Sequence, residues 1–228
     1  DALVHIDRKT CTACGKCAEI CPAKAVEVVG RNYSVDELLE IIMRDKDFYD
    51  ASEGGVTFSG GEPTLWMDYL EAVLRALKAA GVHTAIQTCG MFDFAAFSKK
   101  VLPFIDLIMF DIKIISSEDH QKYTGCDNAL ILENFRRLTK EARGKILPRT
   151  PLVPRLTATP ANLSDIASFL AEQKCIRHDF LPFNNGGTEK RKIFGMAPSP
   201  HIQELKTDIE EGQRSLYMDL SNGGQLYK

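Results

Sequence analysis

Gly54-Gly55-Val56-Thr57-Phe58-Ser59-Gly60-Gly61-Glu62-Pro63 is a short β-type run that stops on two glycines, an acid and a proline. Val56–Ser59 reads as the strand, and Pro63 ends it. Adjacent glycines at a strand end bare the backbone and let a ligand touch the main chain. Glu62 adds an acceptor for a cationic group. Taken alone, the stretch serves equally as a tight strand-to-helix turn, so the chain around it decides its meaning.

Working outward, the pattern alternates. Upstream, Ser34 and Glu37 have the spacing of a capping box. Val35, Leu38, Leu39 and Ile42 then follow helical spacing. Downstream, Leu70, Val73, Leu74 and Leu77 mark a helix that stops at Gly81. His83–Thr88 reads as a strand, Phe94–Val101 as a helix and Leu107–Lys113 as a strongly apolar strand. Ile131, Phe135 and Leu138 lie on the next helix, followed by a strand over Ile146–Val153. Ile166, Phe169 and Leu170 mark another helix, and Ile176–Leu181 another strand. Pro200–Gly212 and Ser215–Leu220 read as a last helix and strand.

Strands alternating with helices argue for βαβ units and a parallel sheet. The five strands of the alternating part are too few for a closed eight-stranded barrel. An open sheet or partial barrel follows. Active sites of such folds lie at the carboxyl ends of the strands.

The composition is that of an ordinary globular chain of 228 residues, 44% hydrophobic and 26% charged. A net charge of -3 gives no nucleic-acid footprint. No apolar stretch has the length of a membrane span. There is no signal-peptide pattern, so a cytoplasmic location is expected.

Residues 1–33 differ from the rest. Between two β-like runs, Leu3–Ile6 and Ala25–Val29, they carry Cys11-Thr-Ala-Cys14-Gly-Lys-Cys17-Ala-Glu-Ile-Cys21-Pro22. This matches the bacterial ferredoxin run for a [4Fe–4S] cluster, closing proline included. A structural zinc site generally pairs two short knuckles across a gap and lacks the closing Cys-Pro. In two-cluster ferredoxins the fourth cysteine of a run ligates the other cluster. Cys11, Cys14 and Cys17 would then serve one cluster and Cys21 a second. A single cluster completed by a remote thiol such as Cys126 is the other arrangement. Cys89, Cys126 and Cys175 otherwise read as buried or incidental thiols.

With these motifs in order, the chain resembles the glycyl-radical-enzyme activating enzymes of the radical S-adenosylmethionine superfamily, in the form with a ferredoxin-like insert. The cysteine run, then Gly30-Arg31-Asn32-Tyr33-Ser34-Val35-Asp36-Glu37-Leu38, Phe48-Tyr49 and the Gly54–Pro63 stretch carry the resemblance. Thr88-Cys89-Gly90, Asp111-Ile112-Lys113, His120-Gln121 and Leu181-Pro182-Phe183-Asn184 extend it. It implies a partial (β/α)6 radical-SAM barrel over residues 34–228 and half of a ferredoxin-like module over 1–33. It also implies a catalytic cluster on a Cys-x3-Cys-x2-Cys loop, a spacing the chain lacks. The expectation is therefore that this loop precedes Asp1 and that the chain alone is inactive.

The resemblance also implies site residues. Gly60, Gly61 and Glu62 would hold the amino group of S-adenosylmethionine. Asp111 and Lys113, two apart and so on one strand face, would position the cofactor and the glycine-bearing peptide. An arginine fork at Arg149 suits the cofactor carboxylate. Thr88 and Asn184 would complete the contacts, and His120 would structure a loop. Glu189-Lys190-Arg191-Lys192 reads as a solvated charge run. The implied partners are a glycyl radical enzyme and a flavodoxin or ferredoxin donor, with the activator itself a monomer. Two alternatives remain at this level: an iron–sulfur electron-transfer or docking protein without catalysis, and a radical enzyme acting on another substrate.

Overall fold

A computed structural model describes residues 6–184, 186–193, 196 and 197. Five parallel strands form one sheet in the order of the chain. They are β1 (Gly55–Phe58), β2 (His83–Thr88), β3 (Leu107–Asp111), β4 (Ile146–Leu152) and β5 (Asp179–Pro182). The order never reverses, which is the winding of a barrel rather than of a doubly wound sheet. Among the described residues β1 and β5 are the edges, and the result is a partial barrel.

Helices precede, connect and follow the strands. In chain order they are α1 (Lys16–Glu19), α2 (Val35–Met43), α3 (Lys46–Ser52), α4 (Met67–Ala79), α5 (Phe94–Lys100), α6 (Ser117–Thr124), α7 (Ala129–Ala142), α8 (Pro160–Glu172) and α9 (Gly186–Ile193). The capping box at Ser34 and Glu37 forms in both directions. Asp93, Ser116 and Thr159 cap α5, α6 and α8 through their side chains. Gly81, at φ 70°, follows the last residues of α4 in the left-handed conformation that suits glycine.

Alternation along the strands sorts the two faces of the sheet. Ile86, Ile108, Phe110 and Ile112 pack with the helices in the main core. There Phe110, Phe135 and Phe169 meet edge-on or tilted, with centroids 5.1 and 5.5 Å apart. Gln87, Met109, Asp111 and Arg149 occupy the opposite face. That face is left for a site.

Strand β4 carries two prolines, yet it is central. The Ile112 amide donates to the Arg149 carbonyl, so odd residues of β4 face β3 and even ones face β5. Pro148 precedes the first β4–β5 pair, Arg149 with Asp179, and Pro151 follows the last β3–β4 pair, Asp111 with Arg149. Neither missing N–H is wanted by a neighbour.

Several expectations need correction. Residues 25–29 form no strand, and Val28 and Val29 are 58% and 52% exposed. The last alternating strand begins at Asp179 rather than Ile176, which is 97% exposed. Strand β3 stops at Asp111, short of Lys113. The stretch around His120 is helix α6 rather than a loop, and α3 was not anticipated. Residues 3–5 and the elements expected at Pro200–Gly212 and Ser215–Leu220 lie outside the described residues.

His178 ties the edge strand inward. Thr150 Oγ1 donates to the Ile112 carbonyl at 2.6 Å and lies 2.9 Å from His178 Nε2. A hydroxyl has one proton, so His178 Nε2–H is the donor of the second bond. Burial holds the imidazole at a pKa of about 4, below its ordinary 6.5. Its contribution to stability is complete above about pH 6.5 and is lost as the pH falls toward about 4. Thermal midpoints of the wild type should therefore drop between about pH 7 and about pH 5, and His178→Gln should reduce that drop. An equal drop in the variant would show that other groups carry the acid sensitivity.

Candidate active site

The turn after β1 presents backbone. Gly60 has φ 118°, a conformation that favours glycine, and a Cβ added at Gly60 or Gly61 would meet nothing within 4 Å. The main chain is open here to a ligand. Glu62 follows as the cap of a 3₁₀ turn, Pro63–Trp66. Its Oε1 accepts from the Thr64 amide at 3.2 Å, the Thr64 hydroxyl at 2.8 Å and the Thr88 hydroxyl at 2.9 Å. Its Oε2 accepts from the Cys89 amide at 2.8 Å. Thr88 is 2% exposed, and its hydroxyl also accepts from the Gly90 amide at 3.0 Å. Thr88 therefore faces the protein, not the open face.

Gln87, its neighbour, does face that side, and its Oε1 accepts from the Ser59 hydroxyl at 2.8 Å. Sequence reading passed over this pair. The signal was the alternation itself, because Thr84, Ile86 and Thr88 form the buried row and leave Gln87 on the other.

At the end of β3 and in the middle of β4 beside it lies a charged cluster. Asp111 Oδ1 accepts from an Arg149 terminal nitrogen at 2.8 Å, and Oδ2 from Lys113 Nζ at 3.3 Å. The other terminal nitrogen of Arg149 contacts Met109 Sδ at 3.4 Å. Two cations around one carboxylate leave an excess of one positive charge. The Arg149 side chain is 9% exposed, and its Nε is buried with no partner. A buried unsatisfied donor on a cation calls for an acceptor. The cluster thus suits an anionic group, and the bare glycine carbonyls suit a cationic one. An amino acid zwitterion offers both. Asn184, the last expected contact, lies exposed two residues past β5.

The other thiols and His120 have structural surroundings. Burial and a contact with Glu62 push the Cys89 thiol up to about 11. Burial also raises Cys175. His120 is buried on α6, with Nδ1 2.8 Å from the Cys126 carbonyl and 3.0 Å from the Thr124 hydroxyl.

The cysteine run is a separate candidate. Cys11, Cys14 and Cys17 are exposed and line one cavity of about 400 Å³ with Ile6, Val28 and Ile193. Gly15, at φ 78°, turns the chain between Cys14 and Cys17. Backbone amides of Ala13 and Ala25 donate to Cys11 and Cys21 sulfurs at 3.4 and 3.2 Å. Backbone N–H groups hold the Cys21 thiol below its ordinary pKa. Among the described residues no three such groups converge as they would on one mononuclear ion. A cubane places each thiolate on a different iron, so its ligands stand further apart. All-thiol donors, amide-to-sulfur bonds and a shared cavity fit such a cluster.

Residues 12–160 match the Radical SAM superfamily model. The isethionate sulfite-lyase activating enzyme of Desulfovibrio desulfuricans is 35% identical over 218 residues, covering 95% of this chain and 70% of the relative. The 4-hydroxyphenylacetate decarboxylase activating enzyme of Clostridioides difficile is 34% identical over 227 residues, covering 97% and 70%. A crystal structure of a domain of pyruvate-formate lyase-activating enzyme from Bacteroides vulgatus superposes with a TM-score of 0.51 at 30% identity, covering 70% of this chain and 94% of that one. The expectation of a missing catalytic loop finds no support in these matches, since Cys14 and Cys17 fall inside the family match.

Arg149→Met should lower the unfolding free energy by about 1–3 kcal/mol, because it leaves Asp111 with one partner in a part-buried site. Lys113→Met, at a longer pair whose lysine keeps more solvent contact than Arg149, should cost less, under about 1 kcal/mol. Denaturant midpoints of the two variants decide this, and equal effects would contradict the ranking. By family model, by relatives and by fold, the chain belongs to the radical SAM superfamily, among the activating enzymes of glycyl radical enzymes.

Proposed function

We propose that this protein binds S-adenosylmethionine and a [4Fe–4S] cluster and installs a glycyl radical on a partner enzyme. The observation that carries the reading is the pairing, at one end of one sheet, of bare glycine carbonyls with an anion-seeking cluster. The relatives named above activate a sulfite-lyase and a decarboxylase, and the likeness to both spans nearly the whole chain.

The geometry supports these roles. Carbonyls at Gly60 and Gly61 accept from the cofactor's ammonium. Lys113 and Arg149 receive its carboxylate, and the unpartnered Nε of Arg149 gains an acceptor. Asp111 keeps the two cations from turning away. Gln87, Met109 and Ser59 floor the site with uncharged side chains. Cys11, Cys14, Cys17 and Cys21 hold iron–sulfur chemistry, in a module over residues 1–33 beside a barrel over 34–228. Once bound, cluster and cofactor would supply the one-electron chemistry by which a hydrogen atom is taken from a partner glycine. The protein's own work is to orient the cofactor and exclude water. A flavodoxin or ferredoxin is the proposed donor, and a monomer the proposed state. Four crowded, unpaired cysteines favour a reducing compartment such as the cytoplasm.

Anaerobic reconstitution with iron and sulfide, reduction with dithionite and addition of S-adenosylmethionine should yield 5′-deoxyadenosine. With the partner enzyme present, a glycyl radical doublet should appear in the electron paramagnetic resonance spectrum. A correctly loaded protein that forms no 5′-deoxyadenosine would refute the reading. Cleavage without a partner radical would point to another substrate.

A further inference from the structure

Glu62 is the acidic residue of the glycine turn, so it invites assignment as the ligand's anionic partner. Its surroundings say otherwise. Four protein donors reach its two oxygens. A carboxylate offers about four lone-pair sites, so little acceptor capacity is left for a ligand. These donors come from two places. Two belong to Thr64, in the 3₁₀ turn that Glu62 itself caps. The other two are the Thr88 hydroxyl and the Cys89 amide, at the end of the neighbouring strand.

We propose that Glu62 is a positioning residue: its carboxylate clamps the end of β2 to the turn after β1 and thereby fixes the Gly60–Gly61 carbonyls as the ligand-facing surface. This deepens the cofactor-binding reading and rests on it for the identity of the ligand. The clamp crosses between parallel strands where their ladder has ended, since the last β1–β2 pair is Phe58 with Ile86. Beyond that pair the Ser59–Gln87 bond and the bonds of Glu62 hold the two strand ends together. Thr88 continues the clamp by accepting from Gly90, and a Cβ on Gly90 would strike the Phe110 ring at 2.1 Å. The loop after β2 is thus pinned by Glu62 on one side and by the core on the other. A turn made of two glycines has no side chain with which to hold itself, so its shape must be imposed from outside. Charge-assisted bonds from backbone and hydroxyl donors are the strong kind suited to that task.

Glu62→Gln makes the test specific. The amide oxygen will take the side with three donors, from Thr64 and Thr88. The NH2 group then faces the Cys89 amide, donor against donor. In the ligand-free protein, hydrogen exchange at the Cys89 amide should speed up by at least about tenfold, and S-adenosylmethionine should bind more weakly. Thr88→Val should expose the Gly90 amide in the same way, while Thr88→Ser should keep it protected. Unchanged exchange at Cys89 in Glu62→Gln, together with lost binding, would show that the carboxylate meets the ligand directly and would overturn the proposal. A wild-type protein that binds no S-adenosylmethionine would sink the functional reading instead, and the exchange comparison would still judge the clamp.

Discussion

The ion pair between Arg149 and Asp111 is the constraint on which the site depends. The two residues are in-register partners on adjacent strands, 2.8 Å apart, on the sheet face that the helices leave uncovered. Burying an arginine is costly unless its donors are met. Here one terminal nitrogen meets Asp111 and another meets only a thioether, while Nε meets nothing. The strands therefore end in a pocket of unspent positive potential. That potential fixes which face works, which end of the sheet works and what charge the ligand carries. The glycine turn two strands away supplies the opposite preference.

Some of this was legible in the sequence because local rules and tertiary structure agree. His83–Thr88 forms a strand with those very bounds, and the capping box of Ser34 and Glu37 starts α2. Two-residue spacing put Asp111 and Lys113 together, although Lys113 lies past the strand and reaches back. Other features escaped because they depend on neighbours that one sequence does not display. Alternation separates Thr88 from Gln87, but only the assembled sheet shows which of the two rows turns into the protein. The valines of 25–29 have strand propensity yet stand largely exposed and form no strand, because propensity alone decides little. Two of the four donors to Glu62 come from residues 26 and 27 positions away, so only the assembled sheet shows that its carboxylate ties two strands together.

The cysteine segment meets the barrel at a telling place. Arg8 donates to the Ile193 carbonyl at 3.0 Å, and Ile193 lines the cavity that Cys11, Cys14 and Cys17 share. Ile193 ends α9, the helix that follows the C-terminal end of β5. The exposed thiols thus share a cavity with the end of a helix that follows the carboxyl end of β5. A second cavity, of about 440 Å³, lies at the opposite end among Arg143, Lys174, Cys175 and Arg177. It is basic, but it lacks the buried orphaned donor of Arg149, and no strand carboxyl end opens on it.

Those two ends give the most direct test of where the ligand sits. Hydrogen exchange should be mapped along the protein with and without S-adenosylmethionine. Binding at the carboxyl ends of the strands predicts new protection over residues 59–62, 111–113 and 149, with residues 143–146 and 174–177 unchanged. Protection confined to the basic cavity at the other end, or none near Gly60 and Arg149 at saturating ligand, would contradict it.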